Sequence, residues 1–326
     1  MLTARRFTLA TVFAIAMAAP FAALAQQKLK FAHVYETGEP YHTVAVWAAG
    51  EIAKRTANRY VMDVFPASAL GKETDINQSL TLGTIDVIYT GQAFAARTYP
   101  PMAIGGAPYM FRDFDHWKKY SESAVLKDIM EAYFKKGGNK PLAVTYYGVR
   151  HTTANKAINK PEDMKGLKLR VPDAPLYVMY PKVVGANATP IAFAEVYLAL
   201  QNKTVDAQEN PLPTIEAKKF YEVQSHINLT GHITEMLLTI VSGQLWTKLS
   251  DADKKTFEAV FREAAAKATG EIAASEIKLV DDFAGKYKKT VVKSDRAAFK
   301  AVFTPFHLGP DATWDKALYE KVQAIK

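Results

Sequence analysis

The chain has 326 residues, of which 49% are hydrophobic and 23% are charged, and its mean hydropathy is −0.10. This length and composition predict a folded globular protein of about two domains and exclude a disordered chain. The sequence contains no cysteine. Disulfides, cysteine-ligated zinc or iron–sulfur clusters, cysteine nucleophiles and lipid attachment to an N-terminal cysteine are therefore excluded.

The N-terminus has the pattern of a cleaved export signal. Arg5 and Arg6 precede an uncharged, mostly apolar run of 11 residues over 9–19, and Ala23-Leu24-Ala25 supplies a small-x-small cleavage pattern. The alternative is a membrane anchor, but a transmembrane helix needs about 20 apolar residues. We therefore predict a signal peptide over residues 1–25 and a periplasmic location.

The mature chain carries a moderate positive charge. Cleavage removes two of the 41 basic residues and none of the 33 acidic ones, so the formal net charge falls from +8 to +6. The basic clusters lie close to acidic residues, as Lys118-Lys119 does to Asp115. This dispersal predicts a solvated mixed-charge surface and no nucleic-acid partner. A positive exported protein favours anionic small molecules instead.

Strand and helix patterns alternate through the first half of the chain. Gly38 and Pro40 break the first strand from a helical apolar face, and Gly83 ends the second helix. The order βαβαβ is typical of a parallel sheet. The predicted elements are strand 29–34, a helix around 44–52, strand 60–65, helix 73–82 and strand 85–89.

The second half repeats this pattern, which favours a duplicated, two-lobe architecture. We predict strand 167–171, helix 177–184, which Pro181 should kink or shorten, helix 194–201 and a strand from Val205. The segments 80–86 and 198–206 share a Leu-x-Leu helix exit that leads into a Thr-Ile-Asp or Thr-Val-Asp strand start. Such an echo indicates internal duplication.

A long helix is predicted near the C-terminus. Ser250 with Asp253 forms a helix start, and apolar residues from Phe257 onward share one face in a pattern that extends to Phe283. A helix of this length can bridge two lobes. Packing on one lobe alone is the alternative.

Catalytic signatures are absent from the sequence. It contains no Gly-x-Ser-x-Gly elbow, zinc-binding His-Glu-x-x-His helix, phosphate loop or Gly-x-Gly-x-x-Gly fingerprint. His33 and His42 suggest a metal pair, but an ordinary hydrogen-bonding role is the simpler interpretation. We predict no enzyme activity, no cofactor and no metal.

Two arginines indicate an anion site. Arg150 is predicted to end one strand, and Arg170 lies two residues before Pro172 at the end of another. Open α/β sheets bind ligands at the carboxyl ends of their strands, and a guanidinium matches the geometry of a carboxylate. These residues therefore favour an organic anion as ligand. Structural salt bridges are the alternative for both arginines.

Several motifs in order resemble the solute-binding proteins of TRAP transporters. Phe65-Pro66 and Leu70-Gly71 extend the likeness to nearly the whole mature chain. The principal motifs are GVRHTTAN at 148–155, MKGLKLRVP at 164–172, AFAEVYLAL at 192–200 and VDAQENPL at 205–212.

The resemblance implies an α/β two-lobe periplasmic-binding-protein fold with a long C-terminal helix bridging the lobes. Lobe 1 would comprise residues 26–147 with C-terminal segments returning to it, lobe 2 residues 148–240, and residues 241–326 helices that pack across both. The implied function is capture of a carboxylate ligand for delivery to TRAP membrane permease subunits. An exported enzyme that acts on a small carboxylate is the alternative.

The resemblance also implies roles for individual residues. Arg170 matches the arginine that makes the bidentate contact to the ligand carboxylate, and Arg150 matches a second ligand-side arginine. Asn210 matches an amide at the same end of the ligand, and Phe193 a pocket-wall aromatic. Glu73 falls where sialate-binding members carry an acid toward the ligand, although an exposed helix-start carboxylate is an equally good interpretation.

One departure from the family pattern narrows the ligand class. Sialate binders carry a further arginine where this chain has Phe94 and an acid where it has Gly91, which disfavours sialate. The first-strand exit, His33-Val34-Tyr35-Glu36, together with Gln92 and Glu235, offers hydrogen-bonding groups suited to hydroxyls, although a solvated or structural role fits each equally. We therefore expect a sugar acid such as a uronate or an aldonate.

Overall fold

The computed structural model describes residues 26–326, so the predicted signal peptide lies outside the described residues. All the strands belong to one mixed sheet. They are β1 Gln27–Ala32, β2 Tyr60–Phe65, β3 Val87–Gly91, β4 Lys140–Ala154, β5 Lys168–Val171, β6 Asn187–Pro190, β7 Ala207–Pro211, β8 His226–Val241 and β9 Thr290–Val292.

Helices cover the sheet. The α-helices are α1 Pro40–Arg55, α2 Glu73–Leu82, α3 Gln92–Ala95, α4 Phe114–Glu122, α5 Ala124–Gly137, α6 Pro175–Val183, α7 Val196–Gln201, α8 Leu212–Ala217, α9 Phe220–Val223, α10 Gly243–Lys248, α11 Asp251–Gly285, α12 Arg296–Phe303 and α13 Lys316–Gln323. Short 3-10 helices lie at Pro100–Gly106, Pro161–Met164, Phe193–Glu195 and Thr304–Leu308. Within residues 26–326, no helix combines the length and the apolar character needed to cross a bilayer.

The sheet is built from two halves with the same topology. Its strand order is β2-β1-β3-β8-β4-β7-β5-β6, and β9 pairs with β8. In the first half β1 pairs in parallel with β2 and β3, and β3 runs antiparallel to β8. In the second half β5 pairs in parallel with β6 and β7, and β7 runs antiparallel to β4. The two segments that share the Leu-x-Leu pattern lead into β3 and β7, which occupy equivalent positions.

Two long strands join the halves. β4 and β8 are antiparallel neighbours along their whole length. Lys140 pairs with Val241 in the first half, and Ala154 pairs with His226 in the second half. The two lobes therefore share one continuous sheet, and their connection consists of these two strands together with the helices that cross them.

Local signals explain most of the helix boundaries. α2 occupies the predicted residues, and Gly83 after it adopts φ 72°, a left-handed conformation that glycine tolerates well. α6 differs from expectation, because its helical backbone continues through Pro181 to Val183. Pro181 lies in the last turn of this helix. Because proline has no backbone N–H, the helix loses one hydrogen bond there.

The long C-terminal helix α11 bridges the two halves, as predicted. Ser250 Oγ caps its start by accepting from the Asp253 amide at 3.1 Å. Near this end Glu263 forms a two-point ion pair with Arg55 of α1, at 2.8 and 2.7 Å. At the other end Phe283 belongs to an apolar cluster of the second half. One helix thus stabilises both lobes.

Candidate functional site

A narrow cavity of about 40 Å³ lies between the two halves of the sheet. It forms where the carboxyl ends of the parallel strands from both halves face each other, the usual ligand position in open α/β folds. The first half contributes Tyr35, Glu73, Gly91 and Phe94, the crossing strand β4 contributes Tyr147 and Arg150, and the second half contributes Arg170, Tyr177, Ile191, Phe193 and Asn210.

Arg170 is a buried cation on the wall of this cavity. It is 2% exposed, and its Nε and Nη2 donate to the Ile191 carbonyl oxygen at 3.0 and 2.7 Å. No carboxylate within the described chain approaches it to 4.0 Å, and its Nη1 makes no hydrogen bond there. Burial lowers the pKa of Arg170 to about 10, so the side chain remains charged at neutral pH. It lies next to last in β5, as predicted.

Arg150 is already paired within the protein. Its Nε and Nη2 contact the two carboxylate oxygens of Glu209 at 2.5 and 2.7 Å. Burial opposes ionisation of Glu209, but the charge of Arg150 and a hydrogen bond with His232 lower its pKa to about 2. The salt-bridge alternative is therefore correct for Arg150, although this arginine also lines the cavity. No pattern in the sequence indicates Glu209 as its partner.

The prediction that a strand ends at Arg150 is wrong. β4 continues to Ala154 because residues 150–154 pair with β7, Arg150 opposite Pro211 and Ala154 opposite Ala207. Arg150 thus lies inside a strand that borders the cleft.

Asn210 contacts Arg150 and lines the same cavity as Arg170. Its Oδ1 accepts from Arg150 Nη2 and from the Tyr147 hydroxyl, each at 3.3 Å, and its Nδ2 donates to Gln208 Oε1 at 2.7 Å. These bonds hold the amide at the end of β7, on the cavity surface. The structure therefore brings Arg150, Arg170 and Asn210 together around one cavity.

Aromatic side chains form the walls. Phe193 lies on the second half, and its ring centroid is 6.3 Å from that of Tyr35 on the first. Tyr177 lies under Arg150, whose guanidinium carbon is 5.1 Å from the ring centroid. Phe94 packs near Tyr177, with 6.3 Å between ring centroids. The sequence pointed to Phe193, and to Tyr35 within the first-strand exit, but not to Tyr147 or Tyr177, because buried tyrosines are also common in ordinary cores.

Glu73 lines the cavity and is half-buried, so it is not an exposed helix-start carboxylate. Its Oε1 accepts from the Gly91 amide at 2.8 Å and from Thr90 Oγ1 at 3.0 Å. Burial, with a smaller contribution from the charge of Glu235, raises the pKa of Glu73 to about 7. The start of α2 thus places an acid with raised pKa on the first-half wall.

Three other predicted residues lie behind the residues that line the cavity. Glu235 accepts from the Tyr177 hydroxyl at 2.8 Å, and burial raises its pKa. His33 Nδ1 accepts from the Tyr35 amide at 3.2 Å, and the two rings are stacked. Gln92 is fully buried, and its side-chain amide atoms have no hydrogen-bond partner within residues 26–326. The cavity-facing neighbours of His33 and Glu235 are therefore tyrosines.

The two histidines near the first strand contact each other. His33 Nε2 and His42 Nδ1 are 3.3 Å apart, and burial together with the charge of His42 lowers the pKa of His33 to about 3. The described part of the chain contains no group of three or more His, Cys, Asp or Glu side chains that could hold a metal ion.

The family assignment follows from comparison with known proteins. The family model for bacterial extracellular solute-binding proteins, family 7, matches residues 31–309. This chain therefore belongs to that family, the solute-binding proteins of TRAP transporters, whose members are ligand-binding transport proteins outside the cytoplasm. The predicted resemblance and the two-lobe α/β fold are confirmed.

Similar proteins cover nearly all of the chain. The sialic acid-binding periplasmic protein SiaP of Vibrio cholerae is 33% identical over 97% of this chain and 98% of its own. A TRAP periplasmic solute-binding protein from Polaromonas sp. JS666, bound to D-erythronate, is 34% identical, covers 92% of this chain and 99% of its own, and has a TM-score of 0.84. One from Roseobacter denitrificans with bound L-galactonate is 29% identical, with 92% and 98% coverage and a TM-score of 0.86.

Proposed function

We propose that this chain is a periplasmic solute-binding protein that captures a sugar acid, an aldonate or a uronate, and delivers it to the permease of a TRAP transporter without catalysing a reaction. The observation that carries the proposal is Arg170, a buried cation on the cavity wall with which no carboxylate of residues 26–326 forms an ion pair. A buried charge without a counter-charge is costly, and a guanidinium binds a carboxylate in a planar, two-point geometry. Arg150 and Asn210 supply further donors beside it.

Hydroxyl recognition supports a sugar acid. Tyr35, Tyr147, Tyr177 and Glu73 surround the rest of the cavity with groups that exchange hydrogen bonds with hydroxyls. The similar proteins from Polaromonas and Roseobacter denitrificans hold D-erythronate and L-galactonate. We infer that His33, Gln92 and Glu235 influence the ligand indirectly, the first and last through the tyrosines that they contact.

Sialate is disfavoured, although SiaP of Vibrio cholerae is a close relative. Phe94 places an apolar ring on the wall where we infer that sialate binders carry an arginine. At Gly91, a Cβ atom would lie 3.1 Å from the Tyr177 hydroxyl, so a larger side chain would crowd this tyrosine.

We further propose that the ligand holds the two lobes closed. We assign residues 26–147, with returning C-terminal segments, to lobe 1, residues 148–240 to lobe 2, and residues 241–326 to helices that pack across both. Binding energy must then favour the closed state, and the permease can distinguish loaded from free protein by its shape.

Direct contacts across the cleft support this closure. Lys218 Nζ of lobe 2 lies 2.7 Å from Glu36 Oε1 of lobe 1. Thr214 Oγ1 donates to Glu39 Oε2 at 2.7 Å. Aromatic contacts cross the cleft as well, between Tyr35 and Phe193 and between Phe94 and Tyr177. Opening would separate both kinds of contact through a hinge motion around the crossing strands, so the binding energy of the ligand adds to contacts that already favour the closed state.

A thermal-shift screen against aldonates, uronates, dicarboxylates and sialate tests the proposed function. A ligand that binds only the folded state raises stability by RT ln(1 + [L]/Kd). We expect aldonates or uronates to raise the melting temperature and sialate to leave it unchanged. The proposal is wrong if no sugar acid stabilises the protein. Recovery of the acid unchanged after prolonged incubation, checked by NMR, separates a binder from an exported enzyme.

A further inference from the structure

The two walls of the cavity present groups of opposite charge, a guanidinium on one wall and a carboxyl group on the other. The second-half wall presents Arg170. The first-half wall presents Glu73. Tyr177 also lines the cavity, and its hydroxyl donates to Glu235 at 2.8 Å. A Cβ atom on Gly91 would lie 3.7 Å from Glu73 Oε1 and 3.1 Å from the Tyr177 hydroxyl, so these groups meet at one point. The Glu73 carboxyl group therefore lies on the wall that faces Arg170, and the Glu235 carboxyl group lies behind the wall, where it accepts from the Tyr177 hydroxyl.

Neither Glu73 nor Glu235 forms an ion pair with a cation of residues 26–326. Within the described part of the chain, no basic nitrogen lies within 4.0 Å of Glu73 or Glu235. The nearest guanidinium, that of Arg150, is engaged by both oxygens of Glu209. Lys72 also borders this wall, but it is exposed, where solvent and salt screen its charge.

Glu73 has one oxygen available to a ligand. Oε1 accepts two hydrogen bonds, whereas Oε2 makes none with the described residues. A ligand hydroxyl can donate to this oxygen. A ligand carboxylate has no proton to donate and carries the same charge, so it is repelled.

We propose that Glu73 makes this site selective for hydroxylated monocarboxylates, because it accepts a hydroxyl at the end of the ligand remote from Arg170 and excludes a second carboxylate there. The inference rests on the proposed function and narrows it. Diacids of the same chain length, the aldarates, enter only if one proton from solvent binds between the Glu73 carboxylate and the second carboxylate of the ligand.

Uptake of this proton should be measurable as a pH dependence of diacid binding. Burial raises the pKa of Glu73 to about 7, and a second carboxylate beside it raises the pKa further. Diacid binding should therefore take up a proton and weaken as pH rises above 7, by up to about tenfold per pH unit. The titratable or charged groups that face Glu73 are Tyr35 after β1, Tyr147 and Arg150 of β4, Tyr177 of α6 and Glu235 of β8.

Titration calorimetry with matched acids tests the proposal. The pairs are D-erythronate with meso-tartrate, D-galactonate with galactarate, and D-gluconate with D-glucarate, measured at pH 6 and pH 8. For each pair whose monoacid binds, we expect the diacid to bind at least about tenfold more weakly than the monoacid at pH 8. This difference in affinity should be smaller at pH 6. Titration in buffers of different ionisation enthalpy should detect proton uptake only with the diacid.

Variants separate the role of Glu73 from general effects. Glu73→Gln should reduce the monoacid-to-diacid ratio at pH 8 several-fold, whereas Glu122→Gln, which removes an exposed charge, should leave the ratio unchanged. Equal or tighter diacid binding at pH 8, or an unchanged ratio in Glu73→Gln, overturns the inference and leaves the proposed function intact. Failure of every sugar acid to bind overturns the proposed function itself.

Discussion

Arg170 donates two hydrogen bonds to a single acceptor, the backbone carbonyl oxygen of Ile191, at 3.0 and 2.7 Å. A carbonyl dipole orients the guanidinium but does not neutralise its charge. Removing a cation from water costs several kcal/mol unless an anion is supplied. The protein therefore maintains a positioned charge whose natural complement is a ligand carboxylate.

Substitution of Arg170 should abolish binding without unfolding the protein. Arg170→Ala removes the carboxylate contact and leaves the ligand anion unpaired in the cleft, so we expect a loss of about 2–5 kcal/mol in binding free energy. Arg170→Lys should lose less, because it keeps the charge but not the planar fork. Calorimetry measures the affinity and circular dichroism the melting temperature.

The control for this prediction is Arg262→Ala, which removes an exposed arginine of α11. It should bind the ligand with unchanged affinity. Near-wild-type affinity in Arg170→Ala would contradict the assignment of Arg170 as the principal carboxylate contact.

The Arg150–Glu209 pair should behave as one unit in folding. Arg150→Met leaves the Glu209 carboxylate buried, with His232 as its one remaining side-chain hydrogen-bond partner among residues 26–326, so we expect a loss of about 3–5 kcal/mol in the free energy of unfolding. The double variant Arg150→Met/Glu209→Gln should recover a substantial part of that loss, because no unpaired charge remains. Urea denaturation measures all the terms of this double-mutant cycle. Additive losses would show that the pair is not coupled.

Stability should fall as pH rises through the range in which a buried acid ionises. Burial raises the pKa of Glu276 from 4.5 to about 7. Between these values the folded protein keeps a proton that the unfolded chain has released, so this residue's contribution is fully present below 4.5 and is lost as pH approaches 7. The loss amounts to at most about 3 kcal/mol.

Glu276→Gln should therefore be more stable than wild type at pH 8 and have a shallower dependence on pH between 5 and 8. The neutral amide still accepts from the Val149 backbone amide, which contacts Glu276 Oε1 at 2.6 Å. Glu271→Gln, an exposed change on the same helix, is the matched control. Denaturation series at several pH values give the slopes, and identical slopes in Glu276→Gln and wild type would refute this prediction.

The ion pair across the cleft should contribute modestly to closure. Glu36→Gln removes the charge that faces Lys218 but keeps the size of the side chain. Because the pair is partly exposed, we expect a loss of about 0.5–1 kcal/mol in ligand affinity, which corresponds to two- to fivefold. High salt should lower the ligand affinity of the wild type toward that of the variant. An affinity independent of both changes would indicate that the pair does not favour the closed state.

Sequence patterns predicted the local elements because their signals are local. Helix α2 and strand β2 have their predicted bounds, and α11 begins at its predicted cap. The joining of both halves into one sheet was not predictable, since it depends on pairing between β4 and β8, which are remote in sequence. The same limitation misplaced Arg150 at a strand end.

The candidate site could be predicted only where its residues belong to sequence motifs. Arg170 and Asn210 belong to motifs whose family roles could be transferred by position. Glu209, adjacent to Asn210, had no independent signal, because only the tertiary fold brings its carboxylate to Arg150. Likewise, sequence identified Glu235 as a polar group but not that Tyr177 lies between it and the cavity.

Scattering in solution would report the closure. With a saturating sugar acid, the radius of gyration should decrease relative to the ligand-free protein, because the ligand contacts both lobes only when the cleft is shut. Arg170→Ala with the same acid should show no change. An unchanged radius despite confirmed binding would favour a preformed pocket.

The most direct test of the central claim is a crystal structure of the protein with the tightest-binding acid from the screen. We predict that the ligand carboxylate lies within about 2.7–2.9 Å of guanidinium nitrogens of Arg170, as charge-assisted hydrogen bonds require, with Arg150 and Asn210 beside it and hydroxyls directed toward Glu73. A complex in which the carboxylate binds elsewhere, for instance at exposed Lys72, while Arg170 contacts only Ile191, would contradict the account.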